Sequence, residues 1–258
     1  MTGQADGRDR ATPGLRWGSA TDIGNVRERN EDAPIVAAEI GLFGVTDGMG
    51  GHPGGDRAAQ SVAHDLPEIM GREFVTMKAR RPRALRRWLK RCVADESSQL
   101  CFQGAGQAGF EGMGATVAFV VLLNGRVYAV NLGDSRVYRV RNGAMVQLSR
   151  DHSVIAELLE QGKIGPEEVH DHAARGLLTQ YVGMPEEAKP YVCSRALKPG
   201  DRFLLCTDGL TDMLEERAIR ETLQANGDVQ QAAETLVQAA NDEGGMDNTT
   251  VVIVDWLG

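Results

Sequence analysis

An α+β fold built on antiparallel strands is predicted by three features of the 258-residue sequence. Two Asn-Gly dipeptides, Asn124-Gly125 and Asn142-Gly143, each join a pair of apolar runs, 116–123 with 127–132 and 137–141 with 145–148. Asn-Gly between such runs is the strongest short-range mark of a β-hairpin. Helical periodicity comes in pairs, at 56–70 with 81–101 and at about 215–225 with 229–242, which suits sheets layered under helices. Apolar runs also end repeatedly in an acid followed by glycine, as in Val45-Thr46-Asp47-Gly48 and Cys206-Thr207-Asp208-Gly209.

In chain order, residues 1–14 are polar and nearly free of apolar side chains, so a disordered lead-in is expected before a domain over 15–258. A first strand is expected at 15–20, and a polar loop then carries Arg27 shortly before Glu31-Asp32. Runs 35–38 and 42–45 read as paired strands. In the helix at 81–101, Leu85, Trp88, Leu89 and Cys92 form an apolar stripe at i, i+3, i+4 and i+7. Arg81, Arg83, Arg86, Arg87, Lys90 and Arg91 are then mostly a solvated face, with a docking surface for an acidic partner or a nucleic acid as the alternative. A short helix at 153–161 precedes an irregular stretch, 162–190, rich in glycine, proline and charge. Strands are expected again at 192–196, 203–206 and 249–254.

Composition narrows the function. A net charge of -8 argues against nucleic acid as the main partner and is compatible with binding cations. The longest apolar run, 117–123, is far shorter than the ~20 helical residues that span a bilayer. Four scattered cysteines without a Cys-x-x-Cys pair suit reduced thiols, and no signal peptide is visible, so a cytoplasmic protein is expected.

The chemistry is expected where the acids recur. Asp47 ends an apolar run, and the glycines after it let backbone groups approach a ligand closely. No Gly-Lys-Ser/Thr follows, which argues against a nucleotide P-loop. Asp134, Asp208, Asp247 and Glu31-Asp32 also stand at strand ends. So much unpaired charge is costly to bury unless a cation gathers it. Carboxylates with a backbone carbonyl are hard oxygen ligands, suited to Mg²⁺ or Mn²⁺, and one acid bridging two ions would generate a hydroxide near neutral pH. Arg27 is placed to grip a phosphate with its guanidinium fork.

These same residues carry a resemblance. Thr21-Asp-Ile-Gly-Asn-Val-Arg27 with Asn30-Glu31-Asp32, Asp47-Gly-Met-Gly-Gly-His52, Gly112-Met-Gly-Ala-Thr116, Gly133-Asp-Ser-Arg136, Asp151-His152-Ser153, Thr207-Asp-Gly209 and Asp247-Asn248 follow, in order, the motifs of metal-dependent protein phosphatases. This is the PPM family, or type 2C Ser/Thr phosphatases, in its bacterial form. The match runs over roughly 15–256.

The resemblance implies an αββα four-layer sandwich, two antiparallel sheets face to face with helices outside. It implies hydrolysis of phosphoserine and phosphothreonine by a hydroxide bridging two Mn²⁺ or Mg²⁺ ions, countering a Ser/Thr kinase. Asp47 would bridge the ions, with the Gly48 carbonyl on one of them. Asp208 and Asp247 would complete the first site and Glu31 and Asp32 would serve the second. Arg27 would bind the substrate phosphate. Asp134 and Asp212 would hold a third, weaker ion, with Asp208 shared. The stretch 162–190 resembles the family's flap. Phosphorylated proteins and a cognate kinase are the implied partners, with no nucleic acid, no membrane and a monomeric enzyme.

Two positions depart from the pattern: Gln180, where many bacterial relatives carry arginine, and Pro34. Neither is an expected ligand, so they bear on substrate preference. His52 lies one glycine later than an Asp-Gly-His arrangement would place it, and His152 is expected to be structural; neither is assigned as general acid. Two rival readings remain open. A pseudophosphatase would lack a metal carboxylate, and none is missing. A nucleic-acid binder using 78–91 would be strongly salt-dependent.

Overall fold

Why this chain layers as it does is visible in the strand Asp201–Cys206, where Phe203 and Leu205 face one apolar cluster while Leu204 and Cys206 face another. Alternation places successive side chains on opposite faces of a strand, and here both faces are covered. The computed structural model describes residues 14–49, 54–169 and 171–258. Its strands are β1 (Leu15–Asp22), β2 (Asp32–Ala37), β3 (Leu42–Asp47), β4 (Val117–Leu123), β5 (Arg126–Leu132), β6 (Arg136–Arg141), β7 (Ala144–Gln147), β8 (Tyr191–Ala196), β9 (Asp201–Cys206) and β10 (Thr249–Trp256). They form two five-stranded sheets, ordered β1-β10-β9-β6-β7 and β2-β3-β4-β5-β8. Each adjacent pair runs antiparallel.

The helices are α1 (Gly55–Arg72), α2 (Phe74–Ala79), α3 (Pro82–Ala105), α4 (Val154–Glu160), α5 (Asp208–Thr211), α6 (Glu216–Ala225) and α7 (Val229–Asp242). Leu66 of α1 and Leu85 and Leu89 of α3 pack with Phe119 and Tyr128 on the outer face of the β4 sheet. Leu223 of α6 and Leu236 of α7 pack with Leu204 and Ile253 on the outer face of the other. Phe43, Val45, Val120, Phe203 and Val252 fill the space between the sheets. The result is the αββα sandwich.

Both hairpins form at the expected dipeptides. Asn124 and Gly125 have φ of 52° and 68°, and Asn142 and Gly143 have 51° and 78°. Positive φ at both central residues is the type I′ turn, whose twist matches its strands. The first strand runs two residues beyond expectation because β1 pairs with β10 along its whole length, Leu15 with Trp256 through Asp22 with Thr249. Helix α2 was not expected between the first helix pair, and α5 was not expected after β9. Six and four residues are too few to show a helical period.

Of the expected lead-in, residues 1–13 lie outside the described residues, while the Gly14 carbonyl accepts a hydrogen bond from Leu257 N–H at 2.8 Å. The described part of 162–190 holds one short turn, Pro166–Glu168, and bridges of Leu178 to Ser153 and of Val182 to Ala115. Gln180 braces this stretch, its Oε1 accepting from Lys189 N–H at 2.7 Å. Pro34 is exposed on β2, an edge strand, where a missing N–H costs little.

Candidate metal and phosphate site

Register alone puts two acids face to face: in the β2–β3 pairing Asp32 stands opposite Asp47. Like charges directly opposed across strands repel, so this is a position the fold tolerates, not one it gains from. β9 runs through Thr207 into Asp208, the first residue of α5. Asp247 lies two residues before β10, and Asp134 occupies the turn between β5 and β6. Asp47 feels the charges of Asp32, Asp208, Asp134 and Asp247. Acids from both sheets thus converge at one end of the sandwich.

Short polar side chains fix the acids in place. Thr116 Oγ1 accepts from Asp47 N–H at 3.2 Å, and Thr116 N–H donates to the Asp47 carbonyl at 2.8 Å. Thr207 Oγ1 donates to Asp32 Oδ2 at 2.9 Å and accepts from Thr250 N–H at 2.9 Å. Asn248 ties the Arg27 loop to the start of β10. Its Nδ2 donates to the carbonyls of Ile23 and Arg29, both at 2.9 Å, and its Oδ1 accepts from Glu31 N–H at 2.8 Å. The sequence reading gave Thr116, Thr207 and Asn248 no role of their own, although each adjoins or pairs with an acid that it did single out.

The electrostatics are those of an uncompensated cluster. Burial, then the charges of Asp32 and Asp208, holds the Asp47 carboxyl well above its ordinary range. Burial and Asp208 do the same for Asp134. Asp208 is raised by burial and by Asp212 and Asp247, and Asp32 chiefly by burial. Asp32 Oδ1 and Asp208 Oδ1 are buried with no hydrogen-bond partner. An orphaned buried carboxylate oxygen is expensive unless a cation answers it. The acids converge without closing, because among the described residues no three Asp, Glu, His or Cys side chains stand tightly enough to hold an ion.

Closely packed backbone adjoins the carboxylates. Gly48 N–H donates to the Glu31 carbonyl at 3.0 Å, and a Cβ on Gly48 would lie 2.2 Å from the Gly55 carbonyl oxygen. Only glycine fits. A Cβ on Gly55 would in turn lie 3.1 Å from Glu31 Oε2, so the Glu31 carboxylate rests against the start of α1. Burial, then Asp56, raises its pKa.

Arg27 is not free. Its Nη2 donates to Asp247 Oδ2 at 2.7 Å, and it lines a hollow of about 190 Å³ with Glu28, Arg29 and Glu31. Asp212 is exposed, and its Oδ2 accepts from Arg175 of the 162–190 stretch at 2.8 Å. It stays within electrostatic reach of Asp208 and Asp134. His152 braces the Asp134 turn: its Nδ1 accepts from Gly133 N–H at 3.2 Å and its own N–H donates to the Gly133 carbonyl. Burial lowers its pKa, as suits a neutral structural ring. His52 lies outside the described residues.

The carboxylates are all hard oxygen donors, two carry orphaned oxygens, and the glycine cradle leaves a carbonyl close by. This set fits Mg²⁺ or Mn²⁺.

Comparison with known proteins bears on the same features. A family model described as protein phosphatase 2C matches residues 28–257. The serine/threonine protein phosphatase PstP of Mycobacterium tuberculosis is 35% identical over 250 residues, which are 95% of this chain and 46% of that protein. The chain therefore spans about half the length of PstP. Protein phosphatase PhpP of Streptococcus pneumoniae is 32% identical over 91% of this chain and 94% of its own. The crystal structure of the PstP catalytic domain in complex with two manganese ions superposes with a TM-score of 0.80 at 33% identity, covering 93% of this chain and 97% of that one. With nearly the whole chain matched at this level, it belongs to the protein phosphatase 2C family in its bacterial form.

Proposed function

We propose that the protein is a metal-dependent serine/threonine phosphatase that hydrolyses phosphoserine and phosphothreonine in proteins, countering a Ser/Thr kinase. The observation that carries the proposal is the gathering of Asp32, Asp47, Asp134, Asp208 and Asp247 at one end of the sandwich, with buried oxygens that nothing in the chain answers. The naming of PstP and PhpP as phosphatases, and the two manganese ions of the PstP catalytic domain, support it.

Asp47, Asp208 and Asp247 would hold one ion and Asp47 with Glu31 and Asp32 a second, with the Gly48 carbonyl on one of them. Asp134, Asp212 and Asp208 would share a weaker third. When bound, such ions acidify water so that hydroxide attacks phosphorus directly, and they offset charge on the phosphoryl oxygens. Arg27 orients the phosphate: its guanidinium already faces the carboxylates at Asp247 and lines the adjoining hollow. Thr207 holds the Asp32 carboxylate in the cluster, and Thr116 fixes the backbone that carries Asp47. Among the described residues no helix is long and apolar enough to cross a membrane, and the four cysteines are unpaired. A cytoplasmic location and a monomeric enzyme are part of the proposal.

The test is hydrolysis of an aryl phosphate and of a phosphothreonine peptide, with Mn²⁺ and with chelator. Turnover of both that chelator abolishes is expected; turnover that survives full chelation overturns the metal reading.

A further inference from the structure

The protein is acidic overall, yet residues 74–94 hold eight of its 28 lysines and arginines and no acid. The structure gathers several of them. α2 ends at Ala79, and Arg80 folds its guanidinium over the Trp88 ring at 5.6 Å. Arg80, Arg87 and Arg91 line a hollow of about 260 Å³, with Ala84 and Trp88 as its apolar wall. Arg80 has only a long contact to Glu73, at 3.7 Å. Arg87 and Arg91 are exposed, one helical turn apart, with no counter-ion or acceptor among the described residues. Like charges at that spacing repel, and an anion between them removes the repulsion. Neighbouring Arg86 does have a structural role, donating to the Val192 carbonyl at 3.0 Å, so the unpartnered arginines are not simply the pattern of the helix.

We propose that this hollow is a docking site for a second phosphate on a phosphorylated protein segment, bound but not hydrolysed there. Three points favour a phosphoprotein over a membrane or a nucleic acid. The groups are arginines, whose planar forks match phosphate bidentately. They line a concavity of single-group size, not a flat or extended strip. The rest of the chain is strongly acidic, which repels polyanions that need a long basic track.

Its position sets the substrate. Asn124 Nδ2 donates to the Lys78 carbonyl at 2.9 Å, so the end of α2, just before the basic start of α3, sits by the β4–β5 turn. That is the end of β4 away from Thr116 and Asp47. α3 then runs toward the site: a Cβ on Gly104 would lie 2.8 Å from the Phe110 carbonyl oxygen, and one on Gly54 would meet the Phe110 ring. From Arg87 to Ala105 the helix rises roughly 27 Å at 1.5 Å per residue. An extended peptide needs at least about eight residues to cover that. This inference rests on the proposed phosphatase function and narrows its substrates to segments phosphorylated at two well-separated positions.

The test compares the wild type with an Arg87→Glu/Arg91→Glu variant and an Arg87→Lys/Arg91→Lys variant, all checked for unchanged circular dichroism. Substrates are an aryl phosphate, a singly phosphorylated peptide, and a peptide with two phosphothreonines about twelve residues apart, beyond the minimum reach of an extended chain. The glutamate variant should raise KM for the double phosphopeptide about ten-fold, the scale of one charged hydrogen-bonded contact. The other two substrates should be unaffected. The lysine variant should fall between, because charge is kept and the fork is lost. Binding of a labelled single phosphopeptide in chelator, read by fluorescence anisotropy, tests the hollow even if no hydrolysis is found. An unchanged KM and unchanged binding in the glutamate variant overturn the proposal. So does equal affinity for a peptide with glutamates in place of the phosphothreonines, or tighter binding of duplex DNA or phosphatidylserine vesicles.

Discussion

Strands β9 and β10 carry acids at both ends, and the two ends treat them in opposite ways. At one end Asp201 takes Arg141 Nη2 at 2.6 Å, and Asp255 takes Arg202 Nε at 2.7 Å and Arg16 Nη2 at 3.0 Å. Burial alone would raise Asp201, but the hydrogen bonds from Arg141 and from Lys198 N–H, with the charges of Arg141 and Arg139, together outweigh it and hold the carboxyl below its ordinary range. At the other end Asp208 has no arginine, and its carboxyl is pushed up. β9 therefore ends once in a satisfied pair, at Asp201, and once in Asp208, whose buried Oδ1 has no partner, while at β10 the Asp255–Arg202 pair is largely buried and the Asp247–Arg27 pair is partly exposed. Buried acids alone do not mark a site. Acids that several strands bring together in excess of the one arginine that meets them, Arg27, beside backbone where only glycine fits, do.

If that contrast is right, substitution at the two ends should separate activity from stability. Asp47→Asn or Asp208→Asn should lower phosphatase turnover by about 10³-fold or more, roughly 4 kcal/mol of transition-state stabilisation. The metal-free protein should be no less stable, because each change removes a repelling charge. Loss of fold in either variant, or near-normal turnover with Mn²⁺, would remove these acids from the metal site. At the satisfied end the outcome should reverse. Asp255→Asn leaves Arg202 largely buried, still bonded to the carbonyls of Leu223 and Asn226 but without its carboxylate. We expect a stability loss of about 3 kcal/mol by chemical denaturation, with turnover per folded molecule unchanged.

The helical layer supplies a control for the claim that burial is not enough. Glu96 of α3 is 2% exposed, and neither carboxylate oxygen has a partner. Burial, then the nearby Asp65, pushes its pKa up to about 7. Only those two acids are involved and no cradle faces them, so a cost and no chemistry is expected. The folded state holds a proton that the unfolded chain releases between the ordinary carboxylate value of about 4.3 and about 7. Stability should thus fall as pH rises through that window and level off above it. Glu96→Gln should flatten this slope, gaining on the order of 1–2 kcal/mol at pH 8 and nothing at pH 4, with metal-dependent activity unaltered. An unchanged pH profile of stability would mean that Glu96 is answered by a group in solution.

What the sequence shows of all this follows physical range. The hairpins were legible because Asn-Gly and its flanking runs are local, and the acid-then-glycine strand ends were legible for the same reason. Asp32 and Asp47 could be named, but their direct opposition is a matter of register between β2 and β3. The Arg27–Asp247 pair joins residues 220 apart in sequence, and Thr207 reaches Asp32 across 175. No local pattern encodes either contact. The expected phosphate-binding Arg27 could be named, but its bond to an acid from the other end of the chain could not. Helix α5 escaped because one turn has no period to detect, and so Asp208 was read only as the acid at a strand's end when it is also the start of a helix.

Asp212 belongs to neither kind of acid, which makes it the most sensitive position for the comparison. It lies at the unsatisfied end, four residues after Asp208, where it helps raise that carboxyl. Yet it has an arginine, Arg175, and about two-fifths of its side chain is exposed, at 43%. As an exposed ion pair it would contribute at most about 1 kcal/mol to stability, and Asp212→Ala would alter nothing else. As a ligand shared with Asp134 and Asp208 for a weaker third ion, it should act on the reaction. Asp212→Ala should then leave two tight Mn²⁺ ions in a calorimetric titration, since it is not their ligand. Turnover should fall roughly ten-fold, about 1.4 kcal/mol, and the activating Mn²⁺ concentration should rise. Asp134→Ala should behave alike, because the two acids also act on one another. Loss of a tight ion in either variant would move these acids into the main pair. Full turnover at low Mn²⁺ in Asp212→Ala would assign its carboxylate to Arg175 alone and place it with Asp201 and Asp255, among the acids whose only task is to answer an arginine.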